Sequence, residues 1–249
     1  MKASAPILAE SALQDKSVPL KDEVSAFATF ANLIKARLTS LVLITTLVGF
    51  YCGSTSPVDY WVMLHALLGT ALVAWGAAAL NQWLEREPDS RMRRTENRPI
   101  PSGRLTPDAV LIIGALLSIL GLLDLLFWVN KLTAFLGAIT LASYLFIYTP
   151  LKKVTTLNTL IGAVPGAIPP LMGWTAARNE MSAAGWSLFA ILFIWQLPHF
   201  MAIAWLYRED YARGGFKMLP IADPDGSKTA AQAVLHSIGL IPVSLFPSL

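Results

Sequence analysis

The chain has 249 residues, of which 55% are hydrophobic and only 14% are charged, and its mean hydropathy is +0.55. Because ordinary soluble domains have a charged fraction of about a quarter, this composition excludes a disordered or collagen-like chain and indicates a membrane protein. The single cysteine, Cys52, excludes a disulfide framework and any metal site built from several cysteines.

Seven apolar stretches follow one another along the chain. Each has about the 20 residues that a helix needs to cross the hydrocarbon core of a bilayer. They cover residues 38–58, 60–84, 109–130, 132–151, 154–177, 181–207 and 229–249. None shows the alternation of apolar and polar residues that is typical of a membrane β-strand. The sequence therefore predicts an all-α polytopic bundle over 38–249, with a cytoplasmic N-terminal arm over 1–37.

The basic residues favour one orientation of this bundle. If the N-terminus is cytoplasmic, every Lys and Arg except Lys131 and Arg178 falls on the cytoplasmic side, as the positive-inside rule expects. The net charge of +3 and the pI near 9.0 then reflect topology, and we expect no nucleic-acid partner. The expected location is the bacterial inner (cytoplasmic) membrane or the mitochondrial inner membrane, with the polar loops on the cytoplasmic or matrix side.

The first polar cluster begins at the end of the second span. Asn81, Glu85 and Asp89 are spaced four residues apart, so on a helix they share one face, although Pro88 weakens that geometry. Two carboxylates and an amide can hold Mg²⁺ while leaving positions for substrate phosphates, and the arginines that follow can pair with phosphate oxygens. The pattern predicts a Mg²⁺-diphosphate site at the membrane surface. The alternative is a solvated face of basic membrane anchors neutralised by acidic residues.

A second polar cluster follows the sixth span. His199 and Asp210 lie about three helical turns apart, so both can face one cavity if the helix continues between them. A histidine within a span is a functional candidate because burying an ionisable group in lipid is costly; a structural interhelical hydrogen bond is the alternative. Lys152 and Lys153 bring two ammonium groups to the same membrane face, as anchors or as phosphate ligands.

The order of these motifs resembles a known family. Asn81, Glu85 and Asp89, with the basic run over 91–98, resemble the first aspartate-rich motif of the UbiA-type intramembrane prenyltransferase superfamily. The strings at 148–153, 162–174, 195–200 and 210–220 resemble its protoheme IX farnesyltransferase branch. The resemblance extends from about Lys35 to the end of the sequence.

The resemblance implies nine transmembrane helices around a central cavity, so two C-terminal helices would be missing from this sequence. It implies transfer of farnesyl from farnesyl diphosphate to a vinyl group of heme B, with addition of water, to give heme O for terminal oxidases. Heme B is then a substrate, and Mg²⁺ is the cofactor. Besides the lipid bilayer, the resemblance suggests heme A synthase or a terminal-oxidase assembly factor as a partner.

The resemblance also implies roles for individual residues. The metal ligands would be Asn81, Glu85, Asp89, Glu209 and Asp210. The diphosphate-binding residues would be Arg94, Arg98, Lys152, Lys153 and Arg208. The catalytic residues would be Asp89, Asp210 and His199, and the heme contacts His199 and His236. Gln82, Glu85, Tyr207 and Tyr211 depart from the superfamily, which usually has aspartates there, so the number of Mg²⁺ ions stays open.

Two other functions fit part of the pattern. A related prenyltransferase that acts on an aromatic acid or a quinone precursor would share the diphosphate site but not the strings at 197–200 and 218–220. A membrane transporter would also contain broken helices. Its polar sites would lie near the bilayer midplane, however, whereas the polar residues of this sequence crowd one membrane face.

Overall fold

The computed structural model describes residues 25–246, which are largely helical and contain no β-strand. The all-α prediction is confirmed, and residues 1–24 of the predicted arm lie outside the described part. The helices are α1 (Ala26–Leu33), α2 (Ala36–Gly53), α3 (Tyr60–Leu84), α4 (Arg86–Arg91), α5 (Pro107–Asp124), α6 (Lys131–Ala142), α7 (Thr149–Leu151), α8 (Asn158–Arg178), α9 (Ala183–Leu206), α10 (Arg208–Arg213), α11 (Leu219–Ala222) and α12 (Ser227–Leu245), with π-helical stretches at Leu125–Val129 and Ser143–Tyr148.

Six segments of the described chain are long and apolar enough to cross a membrane. They are Ala36–Gly53, Tyr60–Leu84, Pro107–Val129, Lys131–Leu151, Asn158–Arg178 and Ala183–Leu206. The seventh predicted span is also a helix, α12, which packs against α9, but Lys228, Gln232 and His236 make its first half less apolar. This architecture is that of an integral membrane protein.

Several helices begin at a polar side chain that caps the first turn. Asp59 accepts hydrogen bonds from the amides of Trp61 and Val62 at the start of α3, both at 3.0 Å. Asn130 accepts one from Thr133 at the start of α6, at 2.8 Å. These bonds satisfy N–H groups that a helix leaves unpaired at its N-terminus, so short polar segments separate the apolar spans sharply.

Helix α8 is the best buried of the six spans and packs against α2, α9 and α6. It is continuous from Asn158 to Arg178, although it contains three prolines. Gly49 and Gly173 allow the backbones of α2 and α8 to approach, because a methyl group on either glycine would overlap a carbonyl oxygen of the facing helix. Small residues at a helix contact commonly permit such packing in membranes.

We expect Gly173→Ala to destabilise the bundle, because its new methyl group would overlap the Thr46 carbonyl oxygen and force α2 and α8 apart. Overpacking of this kind costs about 1–3 kcal/mol. The measurement is the thermal unfolding midpoint in detergent. Gly239→Ala in α12 is the matched control, since within residues 25–246 no atom beyond its own helix backbone and chain neighbours lies within 4 Å of its new methyl group. A wild-type midpoint for Gly173→Ala would contradict the close approach.

Polar residues gather at one end of the bundle, formed by the start of α2 and the segments 85–106, 149–157 and 207–226, which we call the basic end. Contacts between distant residues join these segments. The Lys217 amide donates to the Lys152 carbonyl oxygen at 2.6 Å, and the Asn158 side-chain amide donates to the Lys217 carbonyl oxygen at 2.8 Å. The loops of the basic end therefore form one connected structure.

Candidate active site

Asn81, Glu85 and Asp89 form a column of oxygen atoms at the basic end, which we call the oxygen column. The Glu85 amide bonds to the Asn81 carbonyl at 2.9 Å and the Asp89 amide to the Glu85 carbonyl at 2.8 Å, so helical spacing is kept from α3 into α4. Pro88 lies inside α4 and does not remove Asp89 from the column. All three side chains are buried.

A different cation holds each member of the column. The Lys35 ammonium donates to Asn81 Oδ1 at 3.1 Å, and the Lys152 ammonium donates to Glu85 Oε1 at 2.8 Å. The Arg98 guanidinium donates to Asp89 Oδ2 at 2.5 Å. Among the residues that the structure describes, none bonds to the second Asp89 oxygen, Oδ1, which is buried. The column therefore keeps a buried carboxylate oxygen without a partner, close to three basic side chains.

Burial and these charges change the acidity of the groups in opposite directions. Burial lowers the pKa of Lys35 to about 7, and the charges of Arg98 and Lys152 act in the same direction. Burial raises the pKa of Asp89, and the nearby Arg98 guanidinium only partly offsets that effect. Burial also opposes ionisation of Glu85, but the Lys152 ammonium outweighs it and lowers the Glu85 pKa. The Glu85 charge is thus compensated more fully than the Asp89 charge.

Neighbouring elements hold Asn81, the member of the column that belongs to α3, and its partner Lys35 in place. Thr149 follows the π-helical stretch Ser143–Tyr148, and its hydroxyl accepts a hydrogen bond from the Asn81 amide at 3.3 Å. Gln82 donates to the Asn32 and Leu33 carbonyls at 3.1 and 2.8 Å, tying the α1–α2 turn to α3. Lys35 lies in that turn. The contacts hold both the amide and the ammonium in place.

Asp210 organises a second cluster at the start of α10. Its two carboxylate oxygens accept hydrogen bonds from the backbone amides of Arg93 and Arg94, both at 3.3 Å, and it also pairs with the Arg213 guanidinium. Burial opposes ionisation of Asp210, but the hydrogen bonds from Arg213 and from the two amides lower its pKa. Asp210 therefore attaches the loop after α4 to α10.

Aromatic rings connect the two clusters. The Arg94 guanidinium carbon lies 4.9 Å from the Tyr207 ring centroid and 5.2 Å from that of Tyr211. The Tyr211 and Phe216 rings meet edge to face, with centroids 6.1 Å apart. The Lys152 ammonium lies 5.7 Å from the Phe216 centroid and 4.5 Å from that of Tyr148. We call Tyr148, Phe216, Tyr211 and Tyr207 the aromatic wall.

Besides Arg94, which is also exposed, three charged residues that the resemblance assigns to the site lie exposed at the basic end. They are Lys153, Arg208 and Glu209. The Arg208 guanidinium carbon lies 4.6 Å from the Trp205 ring centroid and not on the oxygen column. Among residues 25–246, the column is therefore paired with Lys35, Lys152 and Arg98 and not with these three.

The helix on which the predicted common face of His199 and Asp210 depends does not continue between them. Helix α9 ends at Leu206 and α10 starts a new helix at Arg208, so the helical spacing is not carried from one residue to the other. His199 is exposed, and its ring stacks on Trp195 with centroids 5.2 Å apart. His236 contacts the Gln232 carbonyl of its own helix through Nδ1, at 2.6 Å.

The sequence-based prediction missed two parts of this site. Lys35 stands before the first span, where a basic residue has the pattern of a membrane anchor, and its partner Asn81 is 46 residues away. The aromatic wall comes from segments around residues 148 and 207–216. The available signal was the position of Tyr148 four residues before Lys152, which places them on one helical face.

The donor set of the column fits a divalent cation such as Mg²⁺. Within residues 25–246, no three His, Cys, Asp or Glu side chains come together as a metal-binding group. Mg²⁺ nevertheless needs only one or two protein carboxylates when substrate phosphates complete its coordination. Glu85, Asp89 and the Asn81 amide provide that set, and the unpaired Asp89 Oδ1 is the position open to a cation.

The chain resembles proteins of known family along most of its length. It matches the UbiA prenyltransferase family over residues 42–249. Protoheme IX farnesyltransferase of Solibacter usitatus is 50% identical, over 88% of this chain and 78% of the relative. Those of Koribacter versatilis and Salinibacter ruber are 43% and 48% identical, over 96% and 87% of this chain and 78% and 77% of the relatives.

Solved structures share the fold. One, from a study of digeranylgeranylglyceryl phosphate synthase in membranes, has a TM-score of 0.73 and 20% identity and covers 89% of this chain and 77% of that one. A UbiA homolog from Archaeoglobus fulgidus bound to DMAPP and Mg²⁺ has a TM-score of 0.67 and 15% identity, over 88% of this chain and 75% of that one. The family match and the close relatives together show that this chain belongs to the UbiA prenyltransferase family.

Proposed function

We propose that this protein transfers a farnesyl group from farnesyl diphosphate to a vinyl group of heme B, with addition of water, and so makes heme O for terminal oxidases. The observation that carries the proposal is the 43–50% identity to three proteins named protoheme IX farnesyltransferase, over at least 87% of this chain. The chemistry available at the basic end supports it, because a diphosphate needs the cations and the carboxylates gathered there.

The residues of the basic end would bind and activate the diphosphate. When bound, Mg²⁺ would supply Lewis-acid stabilisation of the diphosphate oxygens, with Asn81, Glu85 and Asp89 as its ligands. Lys152 and Arg98 would turn part of their N–H groups from the column to the diphosphate. These groups stabilise the leaving group more than the ground state, because negative charge grows on the diphosphate as its bond to farnesyl C1 breaks.

The acceptor step then proceeds by carbon–carbon bond formation. The terminal vinyl carbon bonds to farnesyl C1 as the C1–O bond breaks and the diphosphate leaves with the bonding electrons. Water adds to the other vinyl carbon, and the loss of its proton leaves a hydroxyl group. Water must not reach the allylic carbon first, and the apolar spans next to the basic end would limit its access.

The proposed roles of Asp210 and of the exposed charged residues follow from their contacts. For Asp210 to act as a catalytic or metal-binding carboxylate, it would have to release the Arg93 and Arg94 amides or Arg213. Lys153, Arg208 and Glu209 would line the approach to the diphosphate site, where the net positive charge attracts an anionic substrate.

His199 and His236 remain the proposed heme contacts. The exposed His199 ring stacks on Trp195, and its centroid lies 5.8 Å from the Phe200 ring centroid. This aromatic surface is suited to a flat aromatic ligand. His236 belongs to α12, which packs against α9, the helix that contains His199.

The proposed orientation places the basic end in the cytoplasm. The positive-inside rule supports it, because all described Lys and Arg residues except Lys131 and Arg178 lie in that end, in the turn before α2 or in the first turn of α12. The relatives named above come from bacteria, which supports the bacterial cytoplasmic membrane as the location. Heme A synthase or a terminal-oxidase assembly factor would receive the product.

The decisive experiment follows the mass of the heme. Membranes that contain the protein are incubated with heme B, farnesyl diphosphate and Mg²⁺. The molecular mass of the extracted heme is then measured by mass spectrometry. We expect a gain of one farnesyl group plus one water, absent in membranes without the protein and after metal chelation. Unchanged heme together with prenylation of an aromatic acid or a quinone precursor would overturn the acceptor.

A further inference from the structure

Arg94 is held at three points by the corner between α9 and α10. The Tyr207 and Tyr211 rings flank its guanidinium, with centroids 4.9 and 5.2 Å from the guanidinium carbon. One guanidinium nitrogen, Nη2, donates to the Tyr211 hydroxyl at 3.1 Å, and Asp210 accepts a hydrogen bond from the Arg94 backbone amide. Both the backbone and the side-chain tip of this arginine are therefore fixed, although the residue is exposed.

Fixing the guanidinium in this way prepares it for an anion. A guanidinium has five N–H donors, and the bond to Tyr211 occupies a single one, so several remain for phosphate oxygens. Contact with aromatic faces is attractive for a cation and leaves the plane of the guanidinium free for paired hydrogen bonds. A charge that is already oriented needs no reorganisation when negative charge develops nearby.

The position of Arg94 connects it to the oxygen column. The Lys152 ammonium lies 5.7 Å from the Phe216 ring centroid, the Phe216 and Tyr211 rings meet edge to face, and the Tyr211 ring contacts the Arg94 guanidinium. The aromatic wall thus has Lys152 at one end and Arg94 at the other, so a diphosphate bound along the wall would contact both cations.

Asp210 and Asp89 differ in what their oxygens contact. Both Asp210 oxygens accept hydrogen bonds from the protein, from two backbone amides and from Arg213. Asp89 keeps Oδ1 unpaired and buried. A carboxylate whose oxygens are already bonded is a poor metal ligand, whereas an unpaired one is available. The two aspartates, which a motif comparison treats alike, therefore have different chemistry.

We propose that Arg94 supplies the fixed positive charge on the α10 side of the diphosphate site, and that Tyr207, Tyr211 and Asp210 are positioning residues that act through Arg94. The diphosphate is then held between a single divalent metal ion on the oxygen column and the guanidinium of Arg94. This inference rests on the proposed function only in taking a diphosphate as the ligand, and it does not depend on heme as the acceptor.

The first test measures the binding of inorganic pyrophosphate with Mg²⁺ by calorimetry, together with the separate KM values for farnesyl diphosphate and heme. Tyr211→Leu should raise the pyrophosphate Kd up to about fivefold, the effect of losing an exposed contact between a cation and a ring. The KM for heme should stay unchanged. Tyr211→Phe keeps the ring and should restore most of the affinity, whereas equal loss in Tyr211→Phe and Tyr211→Leu would overturn the role of the ring.

A double-mutant cycle shows whether the tyrosine acts through the arginine. In an Arg94→Gln background, Tyr211→Leu should change the pyrophosphate Kd by less than about twofold. Losses that multiply would mean that Tyr211 acts on its own and would overturn the proposal. The controls are Arg91→Gln, an exposed arginine of the same segment paired with Glu87, and Tyr60→Leu, an exposed tyrosine at the opposite end. Both should leave the Kd unchanged.

The second test counts metal ions by electron paramagnetic resonance of Mn²⁺ in the presence of inorganic pyrophosphate. We expect one bound ion per chain in the wild type and in Asp210→Asn, and none in Asp89→Asn. Two ions in the wild type and one in Asp210→Asn would overturn the assignment of Asp210. The folded fraction of each variant is measured alongside. The pyrophosphate calorimetry and the Mn²⁺ measurement contain no heme, so failure of heme farnesylation would leave both of them valid.

Discussion

Replacing Asp89 with asparagine is expected to lower kcat/KM for prenyl transfer by about 10²- to 10³-fold, the effect of removing one preorganised electrostatic group from an active site. Asparagine keeps the shape of the side chain but not its charge. It thereby removes the unpaired carboxylate oxygen, Oδ1, and the ionic partner of Arg98. The assay is the product mass measurement described above, made at saturating heme.

A neighbouring acidic residue provides the control for Asp89. Glu87 belongs to the same short helix, α4, but its side chain is exposed, and within the described part of the chain its ionic partner is the exposed Arg91. Glu87→Gln should therefore retain wild-type turnover. Arg98 is only partly buried, so Asp89→Asn should fold, and its unfolding midpoint should lie close to that of the wild type. Full activity in Asp89→Asn would rule out the oxygen column as the site of chemistry.

Lys152→Gln is expected to damage both stability and activity. The Lys152 ammonium and the Glu85 carboxylate form a buried ion pair at 2.8 Å. Burial opposes the charge on Lys152, but Tyr148, Glu85 and Tyr144 together outweigh burial and raise the Lys152 pKa, so the pair is ionised at neutral pH. Removing one partner of such a pair leaves an uncompensated buried charge, at a cost of about 3–5 kcal/mol. Activity should fall further, because the diphosphate loses a cation.

The residue next to Lys152 separates these effects from a general loss of positive charge. Lys153 is exposed and, among the described residues, makes no ion pair with the column, so Lys153→Gln should leave the unfolding midpoint and kcat unchanged and should raise only the KM for farnesyl diphosphate, through weaker attraction of the anionic substrate. In Lys152→Gln the Glu85 carboxylate has lost its cation. Adding Glu85→Gln removes this carboxylate, so the double variant should recover part of the lost stability but not the activity. Equal effects of the two lysine substitutions would contradict the buried ion pair.

Local spacing explains which features could be predicted from the sequence. Hydropathy identifies the six spans, because burial in lipid demands about 20 apolar residues in each. The oxygen column is also local, because residues four apart on one helix share a face whatever surrounds them. His199 shows the limit of the same argument, since the helix it requires ends at Leu206 and the residue that follows, Tyr207, is no longer helical.

Contacts between distant segments could not be predicted in this way. Arg94 and Tyr211 are 117 residues apart, and no periodicity connects a loop after the second span with a helix after the sixth. Lys152 and Lys153 look equivalent in the sequence, yet packing against Glu85 and Phe216 buries only the first. The resemblance to a family groups such residues by motif, but the pairing of each cation with its oxygen requires the folded chain.

The burial of α8 has a consequence for how the protein is made. Among the six spans, α8 is the least apolar and the most enclosed by other helices, and it contains Pro165, Pro169 and Pro170. Its partition from the translocon into lipid is therefore the least favourable of the six. Helix α2 is already synthesised when α8 emerges, and it offers Gly49 as a packing surface. Membrane insertion of α8 is thus coupled to tertiary assembly.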